Sequence, residues 1–391
     1  MLLRAKEDAV TRARRNICLL AAAAAALSTT FLLPGRAAAV ASTGNSGPTT
    51  TVQVVATGLN VPRGLVYDRE HNRLLIAEAG VAAGNADPCA AGGGSTLCYG
   101  ATGSIYSYSL VSNGKSGRII TGLPSISNPA KNFVQGLEDL NLYRGQLSGV
   151  FSLSGTPTTR TGLGPGAADL GQAVVFGPSG RVTPIADIAT LETQLYGPQA
   201  QSNPWGIATG EFGTLIANAD GTPVAGSDFG GNDVLQLNHG KLTQLVAFPQ
   251  RNLEGNPNDI VNSAPSTVVQ GPDRAFYVGE LTSYPYYAGA AQVWRVVPGQ
   301  PPTVFASGFS KVIDIAFDPQ GRLLVLDNGG KNSPAELIRV NRDGTQTVLV
   351  SQELNAPSGV AVVNDHTIYV TNFGGGTGGD GQLLKITVSG D

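Results

Sequence analysis

The sequence predicts an all-β fold, a six-bladed β-propeller with four antiparallel strands in each blade. The first observation is a hairpin pattern that occurs six times, anchored on Gly64, Gly136, Gly206, Thr267, Asp314 and Gly359. The spacing of these anchors falls from 72 to 45 residues, as expected when one unit is copied and its loops diverge. The second is composition: 52 Gly and 24 Pro among 391 residues supply many turns, and 41% hydrophobic residues argue against disorder.

Each repeat contains segments rich in Val, Ile, Leu, Tyr and Phe that are bounded by turn residues, which is the pattern of short strands. We letter the strands of a blade a to d from the centre outward. In the first repeat they are Gly64–Tyr67, Leu74–Glu78, Gly103–Leu110 and Arg118–Thr121. Repeats two to five are predicted as Leu137–Leu142, Leu147–Ser152, Gln172–Phe176, Arg181–Ile185; Gly206–Thr209, Thr214–Asn218, Asp233–Leu237, Leu242–Ala247; Thr267–Gln270, Phe276–Glu280, Gln292–Val297, Thr303–Ala306; and Asp314–Phe317, Leu323–Asp327, Glu336–Val340, Gln346–Val350.

The last repeat lacks an outer strand. It supplies Gly359–Val363, Thr367–Asn372 and Gln382–Val388, after which the chain ends. An additional strand-like segment, Thr51–Thr57, precedes the first repeat. Because an open ring would expose two sheet edges, we expect this segment to complete the sixth blade and close the ring.

The first 41 residues have the pattern of a signal peptide. Basic residues precede an apolar segment, Ile17–Leu33, and Ala39-Val40-Ala41 has the small residues of a cleavage site. The alternative is an uncleaved membrane anchor, although Pro34 ends the apolar segment early for a span. We therefore expect a single propeller domain over residues 42–391 that is secreted, periplasmic or on the cell surface.

Two features of the exported chain limit its partners. Removal of residues 1–41 leaves a net charge of −7 and no run of basic residues, which argues against nucleic acid and anionic membranes as partners. Cys89 and Cys98 then remain, in one Gly-rich loop, and a disulfide between them is the natural interpretation in an exported protein. A metal site would require more ligands of this kind nearby.

Several motifs resemble those of a known family. The sequences P-R-G-L-V-Y-D (62–68), P-W-G-I (204–207) and P-S-G-V-A-V (357–362) resemble NHL-type propeller repeats. V-V-A-T-G-L-N-V-P-R-G-L (54–65), L-L-I-A-E-A-G (74–80) and Y-G-A-T-G-S-I (99–105), with the Cys89–Cys98 loop, are similar to the ScyD/ScyE family of exported bacterial proteins. This resemblance implies an extracytoplasmic NHL-like propeller and brings no catalytic residues with it.

The predicted loops are unequal on the two faces of the ring. The a–b and c–d turns are short, whereas the b–c loops carry the additional length, and long loops on one rim of a propeller commonly bind ligands. His71, His239 and His366 fall in the short turns of the opposite face. A histidine general base at the long-loop rim is therefore not predicted.

Polar residues at the ends of the b-strands form a column on the long-loop face: Glu78, Ser152, Asn218, Glu280, Asp327 and Asn372. Their oxygens suit a hard cation such as Ca²⁺, with Glu78, Glu280 and Asp327 as the favoured ligands. The alternative is that these side chains cap the b–c loops by binding their backbone.

Other residues are candidates for ligand binding. A second column, just before strand a, contains Arg63, Gln135, Trp205, Ser266, Ile313 and Ser358. Glu138 and Asp139 are adjacent charged residues within the second a-strand, and the alternatives are that one of them faces the central channel or that they are solvated. Asp314 is the charged member of its anchor column and is expected to line the channel. Trp205 is either a stacking platform or a packed core residue. Tyr284, Tyr286 and Tyr287 form an aromatic loop segment suited to sugars, pigments or a protein partner.

Two functional hypotheses follow. The first is an exported module that binds a small molecule, a glycan or an envelope protein through its long b–c loops. The alternative is a Ca²⁺-dependent hydrolase or lactonase of the six-bladed propeller type that uses Glu78, Glu280 and Asp327. Sequence leaves open whether the protein is an enzyme.

Overall fold

The computed structural model describes residues 47–82, 88–128, 130, 132–219, 232–253 and 256–390, with backbone alone for 256–259. The predicted signal peptide, residues 1–41, lies outside the described residues. The described strands, β1 to β28, are Thr49–Leu59, Pro62–Asp68, Arg73–Glu78, Cys89–Gly92, Ser95–Ser109, Gly117–Asn128, Phe133–Gln135, Leu137–Tyr143, Gln146–Phe151, Gln172–Phe176, Val182–Asp187, Pro204–Gly210, Gly213–Asn218, Asp233–Asn238, Lys241–Ala247, Arg251–Leu253, Asn256–Val261, Pro265–Gln270, Phe276–Glu280, Ala291–Val296, Thr303–Phe309, Val312–Phe317, Leu323–Asp327, Glu336–Val340, Gln346–Val350, Gly359–Asn364, Thr367–Asn372 and Gly381–Ser389.

The strands form six antiparallel blades. Blade 1 contains β2, β3, β5 and β6, and blades 2 to 5 contain β8–β11, β12–β15, β18–β21 and β22–β25. Blade 6 contains β26, β27, β28 and β1. The innermost strands contact one another in the order β2, β8, β12, β18, β22, β26 and again β2. The predicted six-bladed propeller is confirmed.

Pairing between the first and last strands closes the ring. β1 runs antiparallel to β28, with Val52 opposite Ile386 and Val54 opposite Leu384. The N-terminal strand is therefore the outer strand of blade 6, as the sequence predicts. With this pairing blade 6 has four strands, and the β28 edge is covered instead of being left unpaired.

The apolar core lies between the blades. Each of the six larger clusters of buried apolar side chains contains residues from two neighbouring blades. Between blades 1 and 2, for example, Phe151 belongs to the same cluster as Leu75 and Ile105, and all three are almost fully buried. Alternate residues of each strand thus contact opposite neighbours, which explains the apolar strands of the sequence.

Glycine at the anchor positions permits close approach of the innermost strands. A β-carbon on Gly206 would lie 2.7 Å from the Cα atom of Thr267 in blade 4. A β-carbon on Gly359 would lie 2.6 Å from the carbonyl oxygen of Arg63 in blade 1. The repeated Pro-x-Gly motif therefore reflects crowding around the axis.

One face of the ring, here called the loop face, carries the b–c and d–a connections. The elements beyond the basic blade plan occur in these connections: β4, β7, the β16–β17 hairpin, the helices α1 (Pro157–Gly162) and α2 (Ile188–Tyr196), and the 3-10 turn Pro165–Ala167. His71, His239 and His366 lie in turns of the opposite face. No helix of the described residues has the length and apolar character needed to cross a membrane.

The predicted disulfide is present in the b–c connection of blade 1. β4 pairs with the beginning of β5, and Cys89 lies opposite Cys98 in this hairpin. The two sulfur atoms are 2.02 Å apart. The disulfide therefore fixes a hairpin that extends blade 1 on the loop face.

Candidate functional site

Glu78 is an internal hydrogen-bond acceptor of blade 1. Its buried carboxylate accepts hydrogen bonds from the Asn60 backbone N–H at 2.7 Å and the Ser104 hydroxyl at 2.5 Å. The Arg118 guanidinium donates to it twice, from Nε and Nη2, at 2.7 Å each. The carboxylate therefore joins the segment that enters β2 to the outer strands of its own blade.

Glu280 has an equivalent role in blade 4. Its fully buried carboxylate accepts hydrogen bonds from the Arg251 guanidinium, from the Ser263 hydroxyl at 2.9 Å and from the Gln292 backbone N–H at 3.0 Å. The Trp294 indole N–H donates to it at 2.6 Å. This carboxylate anchors the β16–β17 hairpin to the blade.

Asp327 accepts hydrogen bonds from the backbone N–H groups of Ser310, Lys311 and Gly329 at 2.7, 2.9 and 2.9 Å. It shares no partner with Glu78 or Glu280. Among the residues that the structure describes, no group of three or more His, Cys, Asp or Glu side chains is placed to hold a metal ion. The structure thus does not bring the three predicted Ca²⁺ ligands together, because each carboxylate is bound within its own blade.

Four side chains of the b-strand column cap the d–a connection, not the b–c loop as the sequence predicts. The side-chain oxygens of Glu78, Asn218, Asp327 and Asn372 accept hydrogen bonds from backbone N–H groups just before strand a, in the d–a connection. The sequence analysis assigned them to the b–c loops, and Asp327 also reaches that loop through Gly329. The reason is antiparallel pairing, which places the end of strand b beside the beginning of strand a.

The second column surrounds a cavity at the centre of the loop face, here called the channel mouth. Arg63, Trp205, Ile313 and Ser358 line this cavity, which has a volume of about 150 Å³. The remaining two members are bound elsewhere. Gln135 donates to Asn203 at 3.1 Å, and Ser266 donates to the Val312 carbonyl at 2.6 Å.

At the channel mouth the charge of Arg63 is compensated. Its Nε atom lies 3.0 Å from Oε2 of the buried Glu138, and Nη2 donates to the Val134 carbonyl at 2.8 Å. Burial raises the pKa of Glu138, and the positive charge of Arg63 opposes this shift. The guanidinium also lies 6.0 Å from the Trp205 ring centroid. Among the described residues, the buried indole N–H of Trp205 has no hydrogen-bond acceptor.

Two aspartates of the innermost strands connect neighbouring blades. Asp139 accepts a hydrogen bond from the Ile207 N–H of blade 3 at 3.0 Å. Asp314 accepts hydrogen bonds at 2.8 Å from Thr267 of blade 4 and Val360 of blade 6. Burial raises the pKa of Asp314 to about 6, and burial with the nearby charge of Asp314 raises the pKa of Asp139 well above its usual range. The Asp314 carboxylate is thus occupied by interblade contacts.

The predicted tyrosine segment forms one wall of a larger cavity, here called the tyrosine cleft, of about 430 Å³. Tyr284 is 75% exposed, and its ring lies 6.1 Å from that of Tyr286 at nearly a right angle. The Tyr284–Pro285 peptide is cis, and Tyr286 has a left-handed backbone with φ of 56°. Tyr287 forms a backbone bridge with Lys331 and is not among the residues lining the cleft.

Lys311 lies where the two cavities meet, and it lines both. Its ammonium group is 4.8 Å from the Tyr286 ring centroid, within the range of a cation–π contact. Burial lowers the pKa of Lys311, and the negative charge of Asp327 opposes this shift. Tyr286 and Asn328 also line both cavities, so the channel mouth and the tyrosine cleft form one continuous site.

Sequence analysis missed Lys311 and Asn328. A signal for Lys311 existed in the repeat alignment. Its position, three residues before the anchor of the fifth repeat, is occupied in the other repeats by uncharged residues: Val61, Phe133, Asn203, Ala264 and Ala356. A single cation in an otherwise uncharged column marks a local exception. Asn328 gave no comparable signal, because its contact with the cavity depends on the conformation of the loop after β23.

Comparison with known proteins supports the fold. No protein-family model and no curated protein matches the chain. Among solved structures, a gluconolactonase from Xanthomonas campestris is 10% identical with a TM-score of 0.54, over 87% of this chain and 90% of that one. A glucose dehydrogenase is 16% identical with a TM-score of 0.53, over 87% and 100% of the two chains.

The soluble aldose sugar dehydrogenase of Escherichia coli is a third similar structure. It is 15% identical, with a TM-score of 0.52 over 87% of this chain and 99% of that one. At these identities the similarity establishes the propeller fold and leaves the chemistry of the site to be argued from its own residues.

Proposed function

We propose that this protein is an exported binding module, related to the ScyD/ScyE and NHL-type propellers, that binds a small ligand on its loop face. The ligand site is the channel mouth together with the tyrosine cleft. Export is supported by the signal-like pattern of residues 1–41 and is consistent with the Cys89–Cys98 disulfide.

The observation that carries this proposal is the position of Lys311. It is half-buried at the junction of two cavities, and its ammonium group has no hydrogen bond or ion pair with another described residue. An ammonium group that is half-buried against an aromatic ring, with no hydrogen-bond acceptor beside it, keeps part of the free-energy cost of losing water. A ligand group bound beside Lys311 would remove this cost.

A thermal-shift screen of small molecules against the purified protein tests the proposal. Hits are compared between Lys311→Met, which removes the charge and keeps most of the side-chain length, and Lys241→Met, which makes the same change at an exposed site on the opposite face. We expect stabilisation by a hit to disappear in Lys311→Met and to persist in Lys241→Met. Hits that respond equally to both substitutions would contradict a site at Lys311.

The second candidate is the metal-dependent lactonase. Similar folds include a gluconolactonase, and sugar enzymes recur among the similar structures. The same screen therefore includes Ca²⁺ and glucono-δ-lactone. A Ca²⁺-dependent rise in the unfolding midpoint that disappears in Glu280→Gln, together with lactone hydrolysis, would favour this candidate over simple binding.

A further inference from the structure

The three cations of the candidate site differ in how far their positive charge is compensated. Arg63 is paired with Glu138 at 3.0 Å, and Lys331 is exposed to solvent. The carboxylate whose charge acts on Lys311 is that of Asp327, and its oxygens already accept three backbone hydrogen bonds. Lys311 is therefore a half-buried cation whose missing partner is an anion, and a Lys ammonium group binds a carboxylate well as a point charge.

The groups that line the tyrosine cleft indicate which chemical groups the rest of the ligand carries. Tyr284 and Tyr286, from the loop after β19, form an aromatic wall, and Asn328, Gly330 and Ser333, from the loop after β23, also line the cleft. The tyrosines offer ring faces, whereas the second loop offers amide, backbone and hydroxyl groups. A saccharide ring has an apolar C–H face and a hydroxylated edge, and it can contact both sets of groups at once.

A flat aromatic ligand fits this arrangement less well. The rings of Tyr284 and Tyr286 are inclined at 85° to each other and do not form a parallel slot. One face of Tyr286 is already opposite the Lys311 ammonium group. A ligand stacked between two aromatic faces would therefore have to rearrange the cleft.

Building on the proposed function, we propose that the ligand is an acidic saccharide of the uronic acid class. Its ring lies in the tyrosine cleft against Tyr284 and Tyr286, and its carboxylate meets Lys311 at the junction with the channel mouth. Lys311 thus distinguishes an acidic sugar from its neutral counterpart. Lys331 contributes a weaker, solvent-screened attraction at the outer end of the cleft.

Calorimetric titration of the full chain with trigalacturonate tests this inference. The matched control ligand is the same trisaccharide with its three carboxyl groups reduced to hydroxymethyl groups. We expect trigalacturonate to bind at least tenfold more tightly than the reduced form, and more weakly as salt is raised. Lys311→Met is expected to remove this preference, whereas Lys241→Met retains it.

The outcomes separate this inference from the function on which it rests. Equal binding of the acidic and reduced trisaccharides, or binding of neither, would overturn the assignment of an acidic saccharide. If 4-hydroxybenzoate then binds in a manner that requires Lys311, the site remains and its ligand class is wrong. If ligands bind and none responds to Lys311→Met, the proposed site is wrong as well.

Folding of the variant is checked separately. Lys311→Met is expected to retain the unfolding midpoint of the parent within a few degrees, because the methionine stem can still contact Tyr286. If it does not, Lys311→Gln provides the second neutral variant. A loss of preference for the acidic trisaccharide in a folded variant supports the inference, and its retention refutes it.

Discussion

The Asp314 carboxylate lies on β22 and holds the innermost strands of three blades in place. It accepts hydrogen bonds from Thr267 in blade 4, from Val360 in blade 6 and from Ile315 in its own strand. Asp139 makes a related contact between blades 2 and 3. Asp314 thus supplies a polar contact at an anchor position that is glycine in four of the other five repeats.

Asp314 makes stability dependent on pH. Burial raises its pKa from 3.8 to about 6. Because the pKa of the folded state lies above that of the unfolded state, the stabilising contribution is fully present below about pH 4 and is lost as pH rises through about 6. The corresponding loss is about 3 kcal/mol.

We therefore expect the unfolding midpoint to fall as the pH is raised from about 4 to about 6 and to level off above that range. In Asp314→Asn the fall should be smaller, although the variant is less stable at every pH because an amide NH₂ cannot accept the Val360 bond. Asp139 and Asp233, whose pKa values are also raised by burial, should leave part of the slope in the variant. Parallel midpoint–pH curves for the two proteins would exclude this role of Asp314.

Single residues also show how far the site can be predicted from sequence. Repeat alignment placed Arg63, Trp205 and Ser358 in one column, and all three line the channel mouth. They come together because equivalent positions of a propeller converge on one axis. Glu138, in contrast, proved to be the partner of Arg63, a pairing between blades that no repeat-internal pattern specifies.

At the scale of elements, alternating apolar residues and turn residues located the strands to within a few positions. β5 begins at Ser95, eight residues before the predicted strand, because it also pairs with β4 in the disulfide hairpin. The helices α1 and α2 and the β16–β17 hairpin were not predicted. They are short insertions with weak periodicity, and contacts with the blades contribute more to such elements than intrinsic propensity does.

The loops of blades 4 and 5 form one structural unit at the tyrosine cleft. The Tyr286 N–H donates to the Ser283 carbonyl at 2.9 Å, and the Lys331 N–H donates to the Tyr286 carbonyl at 3.0 Å. Gly330 lies against this carbonyl so closely that a β-carbon would overlap its oxygen. The aromatic wall is therefore positioned by the loop that follows β23.

We expect Gly330→Ala to displace the tyrosine turn and to weaken ligand binding at least tenfold, with a stability cost of about 1–3 kcal/mol from overpacking. Gly117→Ala is the matched control, since a β-carbon there has no neighbour within 4 Å and the site is on the opposite face. Titration with trigalacturonate and thermal unfolding measure the two effects. Unchanged affinity in a folded Gly330→Ala protein would show that the loop contact does not position the wall.

At the scale of the whole molecule, the long connections and the short turns lie on opposite faces of the ring. This separation explains on which face a ligand can bind. Apolar clusters between every pair of neighbouring blades make the ring a rigid scaffold, and the opposite face has short turns. The loop face carries the insertions and both cavities of the candidate site. Sequence could predict this asymmetry because loop length is read directly from strand spacing, whereas ligand chemistry depends on side chains from several blades.

Closure by β1 should control the stability of the ring as a whole. β1 pairs along β28, and its last residue, Leu59, is fully buried in the cluster between blades 6 and 1. Removing residues 1–59 would expose the β28 edge and open that interface, whereas removing residues 1–46 would leave β1 intact. We expect the longer deletion to lower the unfolding midpoint by at least about 10 °C relative to the shorter one. It should also produce larger species in size-exclusion chromatography with light scattering, because an exposed strand edge pairs with other chains. Equal midpoints and equal masses for the two deletions would mean that the five complete blades and the remaining three strands hold the ring without its outer strand.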